Sequence, residues 1–493
     1  MAINCIENMR DVMKQEISWK QLRRANRATP VPFLLTLNAN EFPFECEEIV
    51  RIIPGKRLVL FGTWNEQQVV AKLFYETRNA KRHFERELIG VETLMASGVP
   101  TPKLLFSGAA LKNQVQVLIF ERIIDAQTLE DIWQDKTSPL EIELLMEAVI
   151  LELATQHVLG IVQHDLHFKN LLIKNNQILT LDGGSIECIS HEPLSKKDSL
   201  DHLGLFFAQL GVGTEELQGH LFDVYTKARG WLVKKADIKL LKNAIKKWAA
   251  QRWKNYERKI VRNCTAFKKV SKATALMMYA QEYTSVDFLN VLANPEAIFS
   301  DPKTEILKSG RTTTVVKFTV DDKTLVLKRY NVKDAWHWAR RSLRQTRAAR
   351  SWRLANLLRL FGVPTAKPVA FIEKRFLGLR HKSYFIMEYV SGTHIGEYFS
   401  SYREDDAHYE KIALRVAILL KNLAKLRMSH GDLKTTNILI EHERPLLIDL
   451  DGMSEHKRKG EMKRAYQAEI KRFMKNWASY PSLQALFGKL LQD

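Results

Sequence analysis

Alternating apolar and polar residues open the chain, and longer helical patterns follow them. The segments LVLFGT and QQVVAKLFY alternate as half-buried strands do, and the second of them carries Lys72. Helical spacing follows around Phe84 to Met95, a strand is predicted at Val115 to Glu121, and a long helix is predicted from Leu140 to Val158. Strands first and long helices later favour an α+β fold over a parallel doubly wound sheet.

The second half of the chain repeats the first in the same order. GVPTP at Gly98 recurs as GVPTA at Gly362, at an offset of 264 in the numbering. VLIFERI matches YFIMEYV, and QHDLHFKNLLI matches HGDLKTTNILI, both at an offset of 267. Lys72 corresponds to Lys328 in LVLKRYN at an offset of 256, which indicates an insertion or deletion of eleven residues. These ordered matches predict two duplicated domains, residues 1–262 and 263–493.

Composition excludes several classes of protein. The length of 493 residues suits two to four domains of about 150 residues each. Hydrophobic residues make up 45% and charged residues 27%, which excludes a disordered or fibrous chain. The four cysteines show no CxxC spacing, which disfavours a disulfide framework or a zinc site. We expect a cytoplasmic protein, because charges interrupt any N-terminal signal sequence and no apolar run reaches about 18 residues.

Positive charge is concentrated in two segments. The formal net charge is +19, and residues 227–272 hold sixteen Lys and Arg against two acids. Residues 336–359 hold seven Arg and no acid. This surplus predicts an anionic partner: an inner-membrane surface, a phosphorylated sugar, an acidic protein or nucleic acid. Nucleic acid is the least favoured of these, because no recognised binding module accompanies the charge.

Each basic segment has its own pattern. In the first, apolar residues from Leu241 to Tyr256 follow helical spacing, and the other face is basic. That face is either the solvated side of a helix packed on its own domain or a membrane or substrate surface, and both remain open. In the second segment we expect Arg340, Arg344 and Arg347 to face a phosphate-rich substrate or anionic lipid.

Five residues of the first copy have the types and spacing that phosphoryl transfer from ATP requires. That reaction needs groups that position the acceptor hydroxyl and neutralise charge on the phosphoryl oxygens. Asp165 can orient the hydroxyl or accept its proton, and Asn170 and Asp182 offer hard oxygen ligands for Mg²⁺. Lys72 would hold the phosphates, and Glu87 on the following helix would pair with that lysine.

Further residues are expected to bind the nucleotide or the metal. Backbone groups from Glu121 to Ile123 would form a hinge that contacts adenine. In the second copy, Asp432 takes the catalytic position. The nucleotide-binding residues expected there are Lys328, Glu388, Val390 and Lys434, and the expected metal ligands are Asn437, Asp449 and Asp451.

These motifs carry a family resemblance. HDLHFKN with LDGG, and HGDLKTTN with IDLDG, resemble the catalytic and metal-binding motifs of the protein-kinase-like superfamily. PGKRLVLFGTW, AKLFY and FEREL in the first copy, with LVLKRYN and GVPT in the second, are similar to bacterial lipopolysaccharide core kinases of the heptose and Kdo kinase family. The resemblance implies two tandem bilobal kinase-like domains, each with a small β-rich N-lobe and a larger helical C-lobe. It also implies an enzyme on the inner face of the inner membrane.

Several positions depart from the kinase pattern. Gln163 stands where kinases usually carry a histidine, and the metal motif of the first copy reads D-G-G. In the second copy, Ser351 occupies the position of Glu87, so Lys328 lacks the usual helix partner. Gly62 and Gly310 are lone glycines and support a phosphate-binding loop only weakly.

The sequence therefore predicts an ATP- and Mg²⁺-dependent kinase that phosphorylates a hydroxyl of a lipopolysaccharide core sugar. One alternative is a protein or small-molecule kinase of the same fold. The other is a scaffold in which one or both copies bind nucleotide or anionic lipid without chemistry.

Overall fold

Two compact units make up the chain. The computed structural model describes residues 15–25, 29–38, 42–75, 78–135, 139–331, 342–401 and 407–491. One unit comprises Met1–Gln209 and Glu216–Lys247, and the other comprises Leu210–Glu215 and Trp248–Asp493. Each unit combines a seven-stranded sheet with helices, so the predicted α+β composition is confirmed.

The first unit opens with its large sheet and continues into helices and short strands. Its strands are β1 (Gln15–Glu16), β2 (Phe33–Leu35), β3 (Phe44–Ile53), β4 (Arg57–Trp64), β5 (Gln67–Phe74), β6 (Leu104–Ala110), β7 (Val115–Glu121), β8 (Gln127–Thr128), β9 (Ile161–Gln163), β10 (Leu171–Lys174), β11 (Gln177–Thr180) and β12 (Ile186–Cys188). Its helices are α1 (Trp19–Arg23), α2 (Ala80–Ala96), α3 (Leu129–Asp135), α4 (Pro139–Val158), α5 (Lys196–Phe207), α6 (Glu215–Ala228) and α7 (Lys235–Lys259). Helix α7 continues past Lys247, and its residues from Trp248 onward belong to the second unit.

The second unit follows a similar order. Its strands are β13 (Phe267–Lys272), β14 (Ala275–Ala280), β15 (Glu305–Ser309), β16 (Thr313–Val320), β17 (Lys323–Tyr330), β18 (Pro368–Phe376), β19 (Leu379–Glu388), β20 (Thr393–His394), β21 (Met428–Ser429), β22 (Ile438–Glu441), β23 (Arg444–Leu447) and β24 (Ser454–Glu455). Its helices are α8 (Val286–Ala293), α9 (Glu296–Ser300), α10 (Arg347–Leu360), α11 (Ile395–Ser400), α12 (Ala407–Lys425), α13 (Lys459–Lys475) and α14 (Pro481–Leu490).

The two large sheets place the strand lysine in the same setting. The first runs β1-β2-β3-β4-β5-β7-β6, and the second runs β13-β14-β18-β19-β17-β16-β15. In the first sheet the lysine strand β5 lies between β4 and β7, and in the second the lysine strand β17 lies between β16 and β19. β7 and β19 are the strands that lead to the predicted hinges. Lys72 lies opposite Leu118, and Lys328 lies opposite Phe385, so the two partners are themselves related by the offset of 267. The sequence offset is thus reproduced in the strand register.

The repeated GVPT segment ends a helix in each unit. Gly98 follows α2 with φ +68°, and Gly362 follows α10 with φ +77°, a region that glycine adopts without a steric penalty. The N–H of Val99 donates to Leu94 O at 3.0 Å, and the N–H of Val363 donates to Leu358 O at 2.9 Å. These bonds close a helix C-terminus of the Schellman type. The prolines that follow are bonded to the strand before the predicted metal motif, because Pro100 O accepts from the N–H of Thr180 at 2.7 Å and Pro364 O accepts from the N–H of Leu447 at 3.0 Å.

Helix α7 confirms the helical pattern of the first basic segment. Its buried side chains are Asp237, Leu241 and Ala244, and lysines cover much of the remaining surface. Among the described helices, none combines the length and apolarity needed to cross a bilayer.

Candidate active site

The first unit brings the lysine of β5 together with two acids that are distant in sequence. Lys72 lies opposite Val59 of β4 and Leu118 of β7, near the middle of the sheet. Its Nζ forms an ion pair with Glu87 Oε1 of α2 and lies 4.0 Å from Asp182 Oδ1. The lysine, the helix acid and the metal-motif acid therefore meet at one place.

Glu87 has a second basic neighbour, which the sequence analysis missed. Its side chain is 0% exposed, and a buried carboxylate is costly unless cations compensate it. Arg57 Nη1 lies 3.8 Å from Glu87 Oε2. Arg57 stands opposite Phe74, two residues after Lys72, so both basic side chains point to the same face of the sheet. Only the register of β4 with β5 could have indicated this arginine.

The glycines of the D-G-G motif allow α2 to approach Asp182 closely. A Cβ on Gly183 would lie 2.5 Å from Glu87 O, and a Cβ on Gly90 would lie 1.8 Å from Gly183 O. No side chain fits at either contact. Asp182 itself has φ 67°, a left-handed conformation that is uncommon outside glycine. The departure from D-F-G is thus explained by helix packing.

Hydrogen bonds join the loop from Asp165 to Asn170 to the predicted metal-binding motif. Asn170 Nδ2 donates to Asp165 O at 2.8 Å, and the N–H of Leu181 donates to Asn170 O at 2.8 Å. The amide nitrogen of Asn170 is used internally, which leaves its Oδ1 as the possible metal ligand. The side chain of Asp165 is exposed.

Gln163 makes the bond that the histidine makes in the second unit. Gln163 Nε2 donates to Leu181 O at 2.7 Å, and His430 Nε2 donates to Ile448 O at 2.9 Å. Each acceptor carbonyl belongs to the residue before the metal-motif aspartate. The substitution of glutamine for histidine therefore preserves the contact between the catalytic loop and that motif.

A buried chain of neutral side chains supports the same loop. His202 Nε2 lies 2.9 Å from Gln163 O and must donate to it, so the neutral ring accepts at Nδ1 from His157 Nε2, 2.7 Å away. His157 Nδ1 then accepts from Tyr225 OH at 2.6 Å. Burial lowers the pKa of both histidines, that of His202 to about 4, so both rings are neutral at pH 7.

A cavity of about 280 Å³ contains several of the predicted residues. Its lining comprises Arg57, His83, Arg86, Glu87, His164, Asp165, Asp182, Gly184 and Ser185. Asp165 and Asp182 therefore face a shared space, which several basic side chains adjoin. A second cavity of about 400 Å³ touches the hinge residues Glu121 and Ile123 but shares no lining residue with the first.

The hinge of the first unit has one open backbone donor. Glu121 Oε1 accepts from the N–H of Lys103 at 2.7 Å, and the N–H of Arg122 donates to Gln68 O at 3.2 Å. Within the part of the chain that the structure describes, no partner takes the N–H of Ile123. The side chain of Glu121 is thus committed internally, and Ile123 is the hinge residue with a backbone donor to offer.

In the second unit, two aspartates contact the strand lysine. Lys328 Nζ is bonded to Asp449 Oδ1 and lies 3.2 Å from Asp451 Oδ1. Burial opposes the charge of Lys328, but Tyr330, Asp451 and Asp449 together raise its pKa above the usual range, so the group is a cation. Asp449, like Asp182, has a left-handed conformation, with φ 61°. Ser351, at the helix position that corresponds to Glu87, does not contact the lysine; its Oγ lies 2.9 Å from Tyr330 OH.

The predicted catalytic loop of the second unit has the same internal bonds as that of the first. Asn437 Nδ2 donates to Asp432 O at 2.7 Å, and the N–H of Ile448 donates to Asn437 O at 3.0 Å. Lys434 Nζ lies 2.9 Å from Asp432 Oδ2, so this lysine is held against the predicted catalytic carboxylate.

The hinge of the second unit also resembles that of the first. Glu388 contacts Tyr283 OH and lies 3.0 Å from Lys367 Nζ, so its side chain is committed. The N–H of Tyr389 donates to Thr324 O at 3.0 Å. Over the described residues, no hydrogen bond engages the N–H of Val390, the counterpart of Ile123.

The arginine-rich segment is only partly as expected. Arg340 lies outside the described residues, and Arg344 is exposed. Arg347 is half-buried, and its guanidinium is bonded to the buried carboxylate of Asp451, so this arginine has an internal partner that the sequence did not indicate. A buried carboxylate draws the nearest cation inward to offset its desolvation cost.

Comparison with known protein families gives a match within the second unit. Residues 298–485 match the model of the lipopolysaccharide kinase (Kdo/WaaP) family. The resemblance to that family is thereby confirmed. The match contains Lys328, Asp432, Asn437 and Asp449 and supports a phosphotransferase, whereas the first unit lies outside it. No curated protein matched the chain.

Proposed function

We propose that the chain is an ATP- and Mg²⁺-dependent phosphotransferase whose acceptor is a hydroxyl of a lipopolysaccharide core sugar, heptose or Kdo. The observation that carries this proposal is the contact of Lys328 with Asp449 within the segment that matches the lipopolysaccharide kinases. The meeting of Lys72 with Asp182 in the first unit supports the same chemistry there.

In the first unit, each residue has a role that follows from its surroundings. Lys72, held by Glu87, would contact the phosphates of ATP, and the N–H of Ile123 would donate to adenine. Asp165 would orient the acceptor hydroxyl and take its proton. Asp182 and the free Oδ1 of Asn170 are hard oxygen donors that fit Mg²⁺, which neutralises phosphate charge when bound.

In the second unit, the proposed roles are parallel. Lys328 would contact the phosphates, Val390 would contact adenine, and Asp432 would orient the hydroxyl. Asn437 and Asp449 would hold the metal. Lys434, beside Asp432, would neutralise charge on the transferred phosphoryl group as it reaches the acceptor.

We also propose that two bilobal kinase-like domains, residues 1–262 and 263–493, follow one another. The common setting of the lysine strand in the two large sheets supports this division, and a boundary at 262 falls between α7 and β13.

The proposed partner besides the sugar is an anionic membrane surface on the cytoplasmic side. Residues 232–242, here called the basic tip, join an apolar loop to the first turns of α7. Leu232 is 88% exposed, and the exposed lysines around it are Lys234, Lys235, Lys239 and Lys242. Exposed aliphatic side chains ringed by lysines suit the interface of an anionic bilayer.

Phosphate transfer by the purified full-length chain tests the proposal. Asp165→Asn and Asp432→Asn should each remove the transfer catalysed by their own unit, and together they should reduce it by about 10²- to 10⁴-fold, because the acceptor hydroxyl loses its base. The measurement is the gain of one phosphate by core oligosaccharide, followed by mass spectrometry. Asp287→Asn, an exposed acid at the start of α8, is the matched control.

The outcomes separate the alternatives. Undiminished transfer by the double variant would reject both aspartates as catalytic groups. Transfer to a protein or a small alcohol, but not to the oligosaccharide, would indicate a kinase of other specificity. ATP binding without turnover on any acceptor would indicate a scaffold.

A further inference from the structure

The two units hold their strand lysines with acids from different elements. The helix position of Glu87 corresponds to Ser351, at the offset of 264 that relates the two GVPT segments. The position of Gly184, two residues after Asp182, corresponds to Asp451, at the offset of 267. Relative to the first unit, the second therefore lacks the acid on the helix and has an additional acid, Asp451, two residues after Asp449.

In the first unit, the space beside Gly184 is filled by the carboxylate of Glu87. A Cβ built on Gly184 would lie 2.8 Å from Glu87 Oε2 and 3.9 Å from Asp182 Oδ1. Gly184 does not have a positive φ, so its backbone would accept a side chain. Only the glutamate excludes one, and a side chain at this position would point to where the glutamate now lies.

In the second unit, Asp451 occupies the corresponding space. Its side chain is 6% exposed, and its Oδ1 lies 3.2 Å from Lys328 Nζ. Its Oδ2 is bonded to Arg347. Both carboxylate oxygens thus contact cations, and the Arg347 guanidinium packs 4.8 Å from the ring centre of Tyr330.

The charge balance is the same in both units. The first has Lys72 and Arg57 with Glu87 and Asp182. The second has Lys328 and Arg347 with Asp449 and Asp451. Each set contains two positive and two negative groups, which compensate one another where burial makes an unpaired charge costly.

We infer that Asp451 is the positioning residue for Lys328 and takes the place of the missing helix glutamate. This inference rests on the proposed function, since the lysine matters through the nucleotide that it contacts. It assigns Asp451 to the lysine instead of to the metal, and leaves Asp449 and Asn437 as the metal ligands of the second unit.

ATP binding to the full-length chain tests the inference. A background of Lys72→Met with Asp182→Asn removes the contribution of the first unit, and calorimetry measures the affinity for ATP with Mg²⁺ and with EDTA. Asp451→Gly should weaken binding on the order of ten- to hundredfold under both conditions, because Lys328 loses a charged partner. Adding Ser351→Glu to Asp451→Gly should restore most of the affinity, since the first unit has this combination.

A reciprocal exchange keeps the test decisive if Asp451→Gly fails to fold, which circular dichroism would detect. In a background of Lys328→Met with Asp449→Asn, Glu87→Ser should weaken ATP binding, and adding Gly184→Asp should restore it. Rescue in either unit supports the inference.

Two results would overturn the inference while leaving the proposed function intact. One is a loss of affinity in Asp451→Gly that occurs only with Mg²⁺, as expected of a metal ligand. The other is a failure of both folded double variants to recover affinity. If neither background binds ATP at all, the proposed function falls, and the inference falls with it.

Discussion

At the scale of single residues, departures from the kinase pattern are compensated by the bonds that the replacement makes. Gln163 and His430 both donate to the carbonyl before the metal-motif aspartate. An amide nitrogen and an imidazole nitrogen reach the same acceptor from corresponding positions of the two loops. What the site requires is one donor at this point, and two residue types supply it.

This equivalence gives a prediction for the first unit. Gln163→His should leave the free energy of unfolding and the rate of phosphate transfer nearly unchanged, because the donor is retained. Gln163→Ala should lower the unfolding free energy by about 0.5–1.5 kcal/mol, because the carbonyl of Leu181 loses its hydrogen-bond partner. Denaturant unfolding monitored by fluorescence measures both. Equal losses in the two variants would show that the side-chain volume matters and the hydrogen bond does not.

Residue types and spacing were enough to predict most of the candidate site. Lys72, Asp165, Asn170 and Asp182 were predicted because phosphoryl transfer needs those groups in that order. Arg57 and the contact of Asp451 with Lys328 were not identified, because each depends on where a side chain ends in space. The comparison of Glu87 with Ser351 suggested that Lys328 has no acidic partner on the helix. In the structure, Asp451 contacts this lysine from the turn that follows Asp449.

Among the helices and strands, α2 can lie close to the D-G-G turn because glycines form their contact. Gly90 faces the carbonyl of Gly183, and Gly183 faces the carbonyl of Glu87. The contact holds α2 at a fixed distance from the turn. It therefore helps to set the distance between Glu87 and Lys72. The pattern of α2 predicted its position around residues 84–95, and the structure extends it to Ala80–Ala96.

Gly90→Ala tests this packing. The added methyl would meet Gly183 O at 1.8 Å, so the helix must move away, which should cost about 1–3 kcal/mol of unfolding free energy. The displacement should also weaken ATP binding by the first unit, because Glu87 moves with the helix. Thermal unfolding and calorimetry give the two readouts.

Gly219→Ala is the matched control in helix α6. No atom lies within 4 Å of a Cβ at that position, and Gly219 is exposed. The substitution should therefore raise stability by up to about 1 kcal/mol through helix propensity alone. A loss of similar size in both variants would contradict the packing explanation for Gly90.

At the scale of the whole molecule, the net charge of +19 is unevenly distributed and has two different uses. Arg347 is bonded to Asp451, and Arg353 is bonded to Glu257 and Glu455, so part of the arginine-rich segment stabilises the second unit. The lysines of the basic tip are exposed instead. Arg347 therefore has an internal partner, and the basic tip is the segment proposed for a membrane.

Vesicle binding tests the basic tip. Replacing Lys234, Lys235 and Lys239 with Gln should weaken binding to phosphatidylglycerol-containing vesicles by about 3 kcal/mol at low salt, at about 1 kcal/mol for each lysine. Leu232→Ser should weaken binding in a way that added salt does not abolish, because its contribution is apolar. Sedimentation with vesicles measures both effects, and neutral phosphatidylcholine vesicles provide the lipid control.

A matched charge control decides whether the location matters. Lys268→Gln, Lys269→Gln and Lys272→Gln remove the same charge from β13, where these side chains are also exposed. If the control variant loses as much affinity as the basic-tip variant, only the net charge of the chain attracts the vesicles. If the unaltered chain does not bind anionic vesicles, the membrane proposal is wrong.

Strands, helices, the internal matches and the residue types of the candidate site could all be recognised in the sequence. These follow from local periodicity and from matches along the chain, both of which can be read without coordinates. Which charges meet depends on the folded chain, because the strand register and the approach of α2 to Asp182 bring together atoms that no sequence offset relates. For that reason the acid that holds Lys328 became visible only in space.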